Sequence, residues 1–204
     1  MGRLRTCWIG LLATGALVAE EAPGGTGLGA FLAQAAFGES NFYRTGGSLE
    51  ASWRLHPQRA VEGRLRAGLL ALGSGSKTGP FGRPYNARSE GLLVAYDMVF
   101  RSEARTAFGF LGLGACPFRY SYQEVPGSMA FPDTPARSFS ENTLAVAFCA
   151  GAGLALRPGL ELELRLTVMK HPVVAATGPI GEAFMGGYLD PAPSHAALGV
   201  RWLF

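Results

Sequence analysis

The last stretch of the sequence, Leu198-Gly199-Val200-Arg201-Trp202-Leu203-Phe204, decides the fold. Successive side chains of an extended chain point to opposite faces. The residues that share the apolar face of this stretch are Leu198, Val200, Trp202 and Phe204. Gly199 and Arg201 share the other face, on which Leu203 is the apolar exception. The pattern predicts a β-strand with a large apolar face and an aromatic residue at its end.

The same period of two recurs along the chain and predicts further strands. In residues 160–170, for example, Leu160, Leu162 and Leu164 alternate with Glu161 and Glu163. The eight predicted strands lie at residues 27–37, 48–55, 61–72, 91–101, 105–118, within 138–156, 160–170 and 195–204. The predicted fold class is all-β.

The connections between these strands alternate in length. Long loops are predicted at residues 38–47, 73–88, 119–137 and 171–194, and short turns at 56–59, 102–104 and 157–159. About eight to ten residues per strand and an even strand number are the dimensions of the smallest transmembrane barrels, in which short turns face the periplasm and long loops face outward. The pattern therefore predicts an eight-stranded, antiparallel, up-and-down transmembrane β-barrel.

Composition removes several other classes of protein. Charged residues make up 16% of the 204 residues, against about 25% in soluble domains. No apolar run of about 18 residues follows the N-terminal segment, so no transmembrane helix is expected. Because backbone groups in lipid must be paired internally, a closed barrel is then the remaining way to span a bilayer. The net charge of +3 is scattered along the sequence, and we expect no nucleic-acid partner.

The N-terminal segment is typical of a secretory signal peptide. A basic head containing Arg3 and Arg5 precedes an apolar core at residues 6–19, which is too short to span a membrane. Cleavage could follow Ala16 or Ala19. We expect residues 1–19 to be the signal peptide and residues 20–204 to form one barrel domain.

The final strand and the eight-strand pattern together resemble the small outer-membrane proteins of the X, W and A-domain type. The resemblance implies a cell outer-membrane location and contact with outer-membrane lipid and lipopolysaccharide. It also implies recognition of the last strand by the barrel-assembly machinery and a monomeric state. Structural, surface-interaction and small-solute roles all occur on this fold, so fold alone does not choose among them.

Alternation alone does not say which face of the strands points inward, because a soluble lipocalin-type barrel also has about eight strands. Large aromatic residues near the short turns favour an outward apolar face, since such rings form girdles at the membrane interface. The predicted interface aromatics are Trp53, Phe100, Phe108, Trp202 and Phe204. A second ring near the long loops is predicted from Phe37, Tyr43, Phe118, Tyr120 and Phe139.

The opposite face carries balanced charges and predicts a lumen closed by ion pairs. The five bases are Arg54, Arg64, Arg66, Arg165 and Arg201, and the five acids are Glu50, Glu62, Asp97, Glu161 and Glu163. If Leu55 opposes Val61, Arg54 faces Glu62 and Glu50 faces Arg66. If Leu156 opposes Leu160, then Glu161 faces Ala155, Glu163 faces Gly153 and Arg165 faces Gly151. Paired charges of this kind suit a plugged interior, because an isolated buried charge is costly.

The chain carries little recognisable chemistry. Asp190, Ser194 and His195 are close in sequence, and lipid A-modifying barrel enzymes use Ser and His. Adjacent residues of a strand point to opposite faces, however, which argues against a Ser–His pair. Cys116 and Cys149 are either bridged or two small apolar fillers. No metal-binding spacing is present, so no metal or cofactor is expected. We expect no enzyme, and a narrow channel and a lipid A-modifying enzyme remain the alternatives to a structural or surface-interaction barrel.

Overall fold

A computed structural model describes residues 25–36, 45–56, 59–73, 77–78, 84–124, 138–170 and 192–204. These ranges contain nine β-strands: β1 (Thr26–Ala35), β2 (Thr45–Leu55), β3 (Val61–Gly73), β4 (Lys77–Thr78), β5 (Pro84–Arg101), β6 (Ala107–Glu124), β7 (Ser138–Arg157), β8 (Leu160–Lys170) and β9 (His195–Leu203). Among the same residues, no helix is both long and apolar enough to cross a bilayer. The predicted signal peptide, residues 1–19, lies outside the described ranges.

Eight of the strands form one closed antiparallel sheet. The order around the sheet is β3-β2-β1-β9-β8-β7-β6-β5, and β3 pairs with β5 to close it. The two-residue strand β4 pairs only with the start of β5. The predicted fold class, an eight-stranded antiparallel barrel with each strand beside its neighbours in sequence, is therefore confirmed. We call the end at which β2–β3, β5–β6 and β7–β8 connect the turn end, and the opposite end the loop end.

β5 and β6 continue furthest into sequence that was predicted to be loop. β5 begins at Pro84, where residue 91 was predicted, and β6 continues to Glu124, where residue 118 was predicted. Their added segments pair with each other from Tyr85–Glu124 to Gly91–Phe118. Backbone pairing satisfies amide groups whatever the side chains are, so polar side chains at this end of the wall did not mark a loop.

The strands present apolar side chains to the outside and charged side chains to the lumen near the turn end. In β3, Leu65 and Leu69 point outward and are 41% and 66% exposed, whereas Arg64 and Arg66, on either side of Leu65, are at most 2% exposed. This arrangement is the reverse of a lipocalin-type barrel. A closed 8-stranded barrel has an interior just wide enough for its own side chains, so the inward residues pack against one another.

The predicted strand registers are right at one hairpin and wrong at another. In β7–β8, Glu161, Glu163 and Arg165 oppose Ala155, Gly153 and Gly151 as predicted, although a bulge places Arg157 opposite Leu160. In β2–β3 the register differs by two residues, because Leu55 opposes Gly63. The first two residues of β3 pair with β5 instead, with Val61 opposite Phe100. This stagger between neighbouring strands is the tilt that barrel closure requires.

Candidate functional site

The candidate site is the turn-end half of the lumen, which we call the charged half. The ten predicted lumen charges all lie there: Glu50, Arg54, Glu62, Arg64, Arg66, Asp97, Glu161, Glu163, Arg165 and Arg201. Nine of them are at most 4% exposed, and the side chain of Arg54 is 8% exposed. They come from five different strands, so the network joins opposite walls of the barrel.

Asp97 is the acid shared by the two central arginines of β3. It accepts hydrogen bonds from Arg64 Nε at 2.9 Å and from Arg66 Nε and Nη2 at 2.5 and 2.9 Å. Arg64 is directly opposite Asp97 in the β3–β5 ladder, and Arg66 lies two residues further along the same face. The period of two in β3 therefore brings two guanidiniums to one carboxylate.

Glu50 and Glu163 extend the network across the lumen. Glu50 accepts hydrogen bonds from Arg165 Nη1 and Nη2 at 2.9 and 2.5 Å, and from Arg66 Nη1 at 3.3 Å. Glu163 accepts from Arg64 Nη1 at 2.7 Å and from Arg201 Nη2 at 3.2 Å. β2 and β8, which are not neighbours in the sheet, are thus joined through their side chains. We call Glu50, Arg64, Arg66, Asp97, Glu163, Arg165 and Arg201 the central layer.

A second layer of charges lies closer to the turn end. Arg54 Nη2 and Arg101 Nε lie 2.8 and 2.9 Å from the Glu62 carboxylate, and Arg105 Nη1 lies 3.4 Å from it. Arg101 Nη2 also pairs with Glu161 at 2.8 Å. The predicted Arg54–Glu62 pair therefore forms, but diagonally, because the strand register is not the predicted one. Arg101 was missed, although it lies four residues after Asp97 on the same face of β5.

Phe108 corrects the sequence prediction. It was expected among the interface aromatics, but it points into the lumen, is 4% exposed and lies under Arg101, whose Cζ is 5.0 Å from the ring centroid. Its in-register neighbour is Gly153, which leaves room for the ring on the inner wall. A cation over an aromatic face is stabilised by the ring quadrupole. The prediction that Phe108 lies at the membrane interface is therefore wrong.

Two other aromatic rings also lie between a glycine of the neighbouring strand and a guanidinium. Phe110 is opposite Gly151 and lies 4.5 Å from Arg64 Cζ. Phe31 is opposite Gly199, with Arg165 Cζ 4.4 Å from its centroid. Each of these three phenylalanines thus lies over a glycine of the next strand and under a guanidinium. An opposing glycine does not by itself identify an inward ring, because Phe100 opposes Gly109 and points outward at 43% exposure.

The other predicted interface aromatics have mixed outcomes. Trp53, Phe100 and Phe204 point outward near the turn end and are 42–43% exposed, and Trp202 is partly exposed beside the inward Arg201. Their role as an interface ring stays a prediction. Phe118 and Tyr120 were expected in the second ring, but they are 3% and 7% exposed inside the lumen, so that expectation is wrong for both. Phe37, Tyr43 and the side chain of Phe139 lie outside the described residues.

The loop-end half of the lumen, which we call the apolar half, is filled by uncharged side chains. Its buried members include Ala33, Ala35, Leu70, Leu72, Ala87, Leu93, Ala95, Cys116, Phe118, Ala145, Ala147, Met169 and Ala197. Cys116 and Cys149 are both free, buried thiols. The structure thus favours the reading of these cysteines as small apolar fillers. The two halves of the lumen differ sharply in polarity.

Ser194 and His195 bond to the backbone at the start of β9. The Ser194 hydroxyl accepts a hydrogen bond from Met169 N at 2.8 Å and donates one to Met169 O at 3.2 Å. His195 Nδ1 lies 2.8 Å from Pro193 O. Ser194 thereby continues the contact between β8 and β9 beyond the last backbone pair, which is a structural task. Asp190 lies outside the described residues.

Solved structures of outer-membrane proteins share this architecture. A major outer-membrane protein of Thermus thermophilus matches with a TM-score of 0.53 and 15% identity, over 88% of this chain and 99% of that one. Ail, the attachment invasion locus protein of Yersinia pestis, matches with a TM-score of 0.50 and 12% identity, over 88% and 96%. No protein-family model and no curated protein sequence matches the chain. The chain has the fold of the small eight-stranded outer-membrane β-barrels.

Proposed function

We propose that this protein is a structural or surface-interaction barrel of the outer membrane whose interior is closed by its own side chains. The observation that carries the proposal is the central layer. Its seven charged side chains are at most 4% exposed and pair across the lumen between strands that are not neighbours. A wide aqueous path would leave these groups hydrated and exposed. Their burial supports a plugged barrel over a narrow channel for small solutes.

The exterior supports placement in a lipid bilayer. Leu69, Leu111, Leu113 and Phe148 point outward and are 55–66% exposed. An outward apolar band of this kind is what a membrane barrel presents to acyl chains. With short turns at one end, the charged half faces the periplasm and the apolar half faces the cell exterior.

The outer rim fits contact with lipopolysaccharide. Arg88, Arg119 and Lys170 are exposed at the loop ends of β5, β6 and β8, above the apolar band. Guanidinium and ammonium groups bind phosphate, so this rim suits the phosphorylated sugars of the outer leaflet. The outward alternation of β9 supports its use as the segment that the barrel-assembly machinery recognises.

Conductance tests the closed interior. The purified protein, folded in detergent and shown to be folded by its heat-modifiable migration on a denaturing gel, is inserted into planar bilayers. We expect no steady open level, because the central layer fills the cross-section. The double variant Glu50→Ser with Arg165→Ser removes one cross-lumen pair and should produce small conductance steps. The matched control removes the exposed pair Arg88–Glu90 and should stay silent. A steady open level in the unmodified protein would overturn the proposal.

Mass spectrometry of lipid A separates the proposal from a lipid-modifying enzyme. Ser194 and His195 are engaged with Met169 and Pro193, which disfavours a nucleophile–base pair. We expect identical lipid A acylation in cells that express the unmodified protein, the His195→Ala variant or neither. A change that depends on His195 would favour the enzyme.

A further inference from the structure

The central layer contains more positive than negative charge. Four guanidiniums, those of Arg64, Arg66, Arg165 and Arg201, share three carboxylates, those of Glu50, Asp97 and Glu163. In the second layer, Glu62 and Glu161 balance Arg54 and Arg101, and the third cation, Arg105, is 42% exposed at the rim. Within the described part of the chain, one positive charge in the middle of the lumen is therefore without a carboxylate of its own.

Arg201 is the cation with the weakest partners. Its Nη2 lies 3.2 Å from Glu163 and 3.6 Å from Glu50. Both carboxylates already have closer partners, Arg64 at 2.7 Å and Arg165 at 2.5 Å. Nε and Nη1 of Arg201 have no hydrogen-bond partner among the described residues, although Arg201 is 0% exposed. A buried guanidinium is thus left with two unused donors.

A third unused donor comes from the same region of the wall. Arg165 Nε has no hydrogen-bond partner in the described part of the chain either. Arg165 and Arg201 share the ring of Phe31, with their Cζ atoms 4.4 and 5.5 Å from its centroid. Gly29 and Gly199 lie against that ring, so both guanidiniums approach it from the lumen. Two guanidiniums with unused N–H donors therefore lie within 5.5 Å of the centroid of one aromatic ring.

Such an arrangement is costly unless something compensates for it. A buried charge without a counter-charge is strongly destabilising, and each unused buried donor adds its own desolvation penalty. A cation–π contact offsets only part of this cost. We propose that the central layer binds one small monovalent anion, a halide such as chloride, at an unused N–H donor of Arg201. A one-atom ion needs the least room between side chains that are already closely packed.

The anion site rests on the closed interior proposed above, because only a buried surplus charge requires a bound counter-ion. The test uses the folded protein in detergent micelles and measures its unfolding temperature. Sodium chloride or bromide is compared with sodium gluconate at equal ionic strength. A ligand that binds only the folded state raises the unfolding temperature with the logarithm of its concentration, and matched ionic strength keeps general screening constant. We expect the rise in chloride and bromide but not in gluconate.

Two variants that change the surplus charge in opposite directions, together with one control variant, identify the site. Arg201→Met removes the surplus charge and should abolish the halide dependence. Glu163→Gln adds a second surplus charge and should make the dependence steeper. Arg105→Met removes a cation whose side chain is 42% exposed at the rim and should leave the dependence unchanged. A halide response that survives Arg201→Met would overturn the assignment.

Crystals of the unmodified protein grown in bromide give a readout that does not depend on any variant. An anomalous bromide peak beside Arg201 supports the site even if Arg201→Met fails to fold. Absence of that peak, or equal stability in halide and gluconate, means that water alone satisfies these donors and overturns the proposal. Neither result bears on conductance, so failure of the anion site and failure of the closed barrel are distinguishable.

Discussion

In the charged half of the lumen, arginines and carboxylates fill the barrel, whereas in the apolar half alanine, leucine, cysteine and methionine fill the same cross-section. The charged half joins its walls through directed contacts such as Arg64–Glu163 at 2.7 Å and Arg165–Glu50 at 2.5 Å. The apolar half joins its walls through van der Waals packing of residues such as Leu72 and Met169, which are at most 1% exposed. One barrel thus uses two means of filling its interior.

The difference predicts different responses to substitution. A charged group that loses its partner leaves an uncompensated buried charge, which is costly wherever it occurs. An apolar group that is shortened leaves a cavity, and the cost depends on how far the neighbours relax. Loss of one carboxylate should therefore exceed loss of one aliphatic side chain.

The largest effect is expected for Asp97→Asn. Asp97 is the acid shared by Arg64 and Arg66, and its loss leaves two guanidiniums facing each other. We expect a loss of about 3–5 kcal/mol in the free energy of unfolding, the range for breaking a buried ion pair. Urea unfolding in lipid vesicles, followed by tryptophan fluorescence, measures it.

The control for Asp97→Asn is its neighbour Met98, which points outward and is 47% exposed. Met98→Leu conserves volume and should cost less than about 1.5 kcal/mol. Adding Arg66→Met to Asp97→Asn should recover part of the loss, because one of the two opposed cations is removed. A loss under about 1 kcal/mol for Asp97→Asn alone would mean that the charged half is hydrated, contrary to its burial.

The next largest effect is expected in the apolar half, for Leu72→Ala. Leu72 is 1% exposed, and shortening it should cost about 2–5 kcal/mol through lost contacts and an unfilled cavity. Leu69 in the same strand points outward and is 66% exposed. Leu69→Ala should cost clearly less, because acyl chains fill the space. Equal losses in the same urea assay would contradict the assignment of inner and outer faces.

Sequence predicted the charged half far better than the apolar half. On β3, β8 and β9, charges alternate with large apolar residues, so the period of two and the choice of face were both readable. The β7–β8 register was also readable, because Glu163 and Arg165 required small residues opposite them, and Gly153 and Gly151 are there. A long charged side chain on the inner wall needs a small residue opposite it, and few registers of β7 against β8 provide one.

In the apolar half the lumen is filled by apolar side chains, and at Phe118 and Tyr120 the outward residue between them is the exposed Arg119, so polarity no longer marks the inner face. Phe118 and Tyr120 were therefore assigned to the membrane face although they point inward. The prediction for Phe108 was wrong for a different reason. The inward direction of this side chain depends on Gly153 of the neighbouring strand and on Arg101 above the ring. No property of β6 alone records those two contacts.

A smaller effect is expected for Gly153→Ala, which tests whether the Phe108 ring needs the space that a glycine leaves opposite it. A Cβ at this position would meet Phe108 Cζ and would lie 2.5 Å from Leu162 O, which is backbone and cannot move freely. Overpacking of this kind typically costs about 1–3 kcal/mol. Gly109 in the adjacent strand is the control, because a Cβ there meets nothing closer than Gly151 O at 3.7 Å. If Gly109→Ala and Gly153→Ala cost the same, the ring does not depend on that glycine.

The smallest effect is expected at the rim of the charged half, for Arg105→Met. Arg105 Nη1 lies 3.4 Å from Glu62, but its side chain is 42% exposed, and Glu62 keeps Arg54 and Arg101 at 2.8 and 2.9 Å. Exposed ion pairs contribute about 0–1 kcal/mol, so the loss should stay within that range and shrink further in high salt. Arg101→Met, by contrast, leaves Glu161 without its pair and should cost several times more in the same urea titration. Similar losses for the two variants would mean that the boundary between buried and hydrated charge lies deeper in the lumen than Glu62.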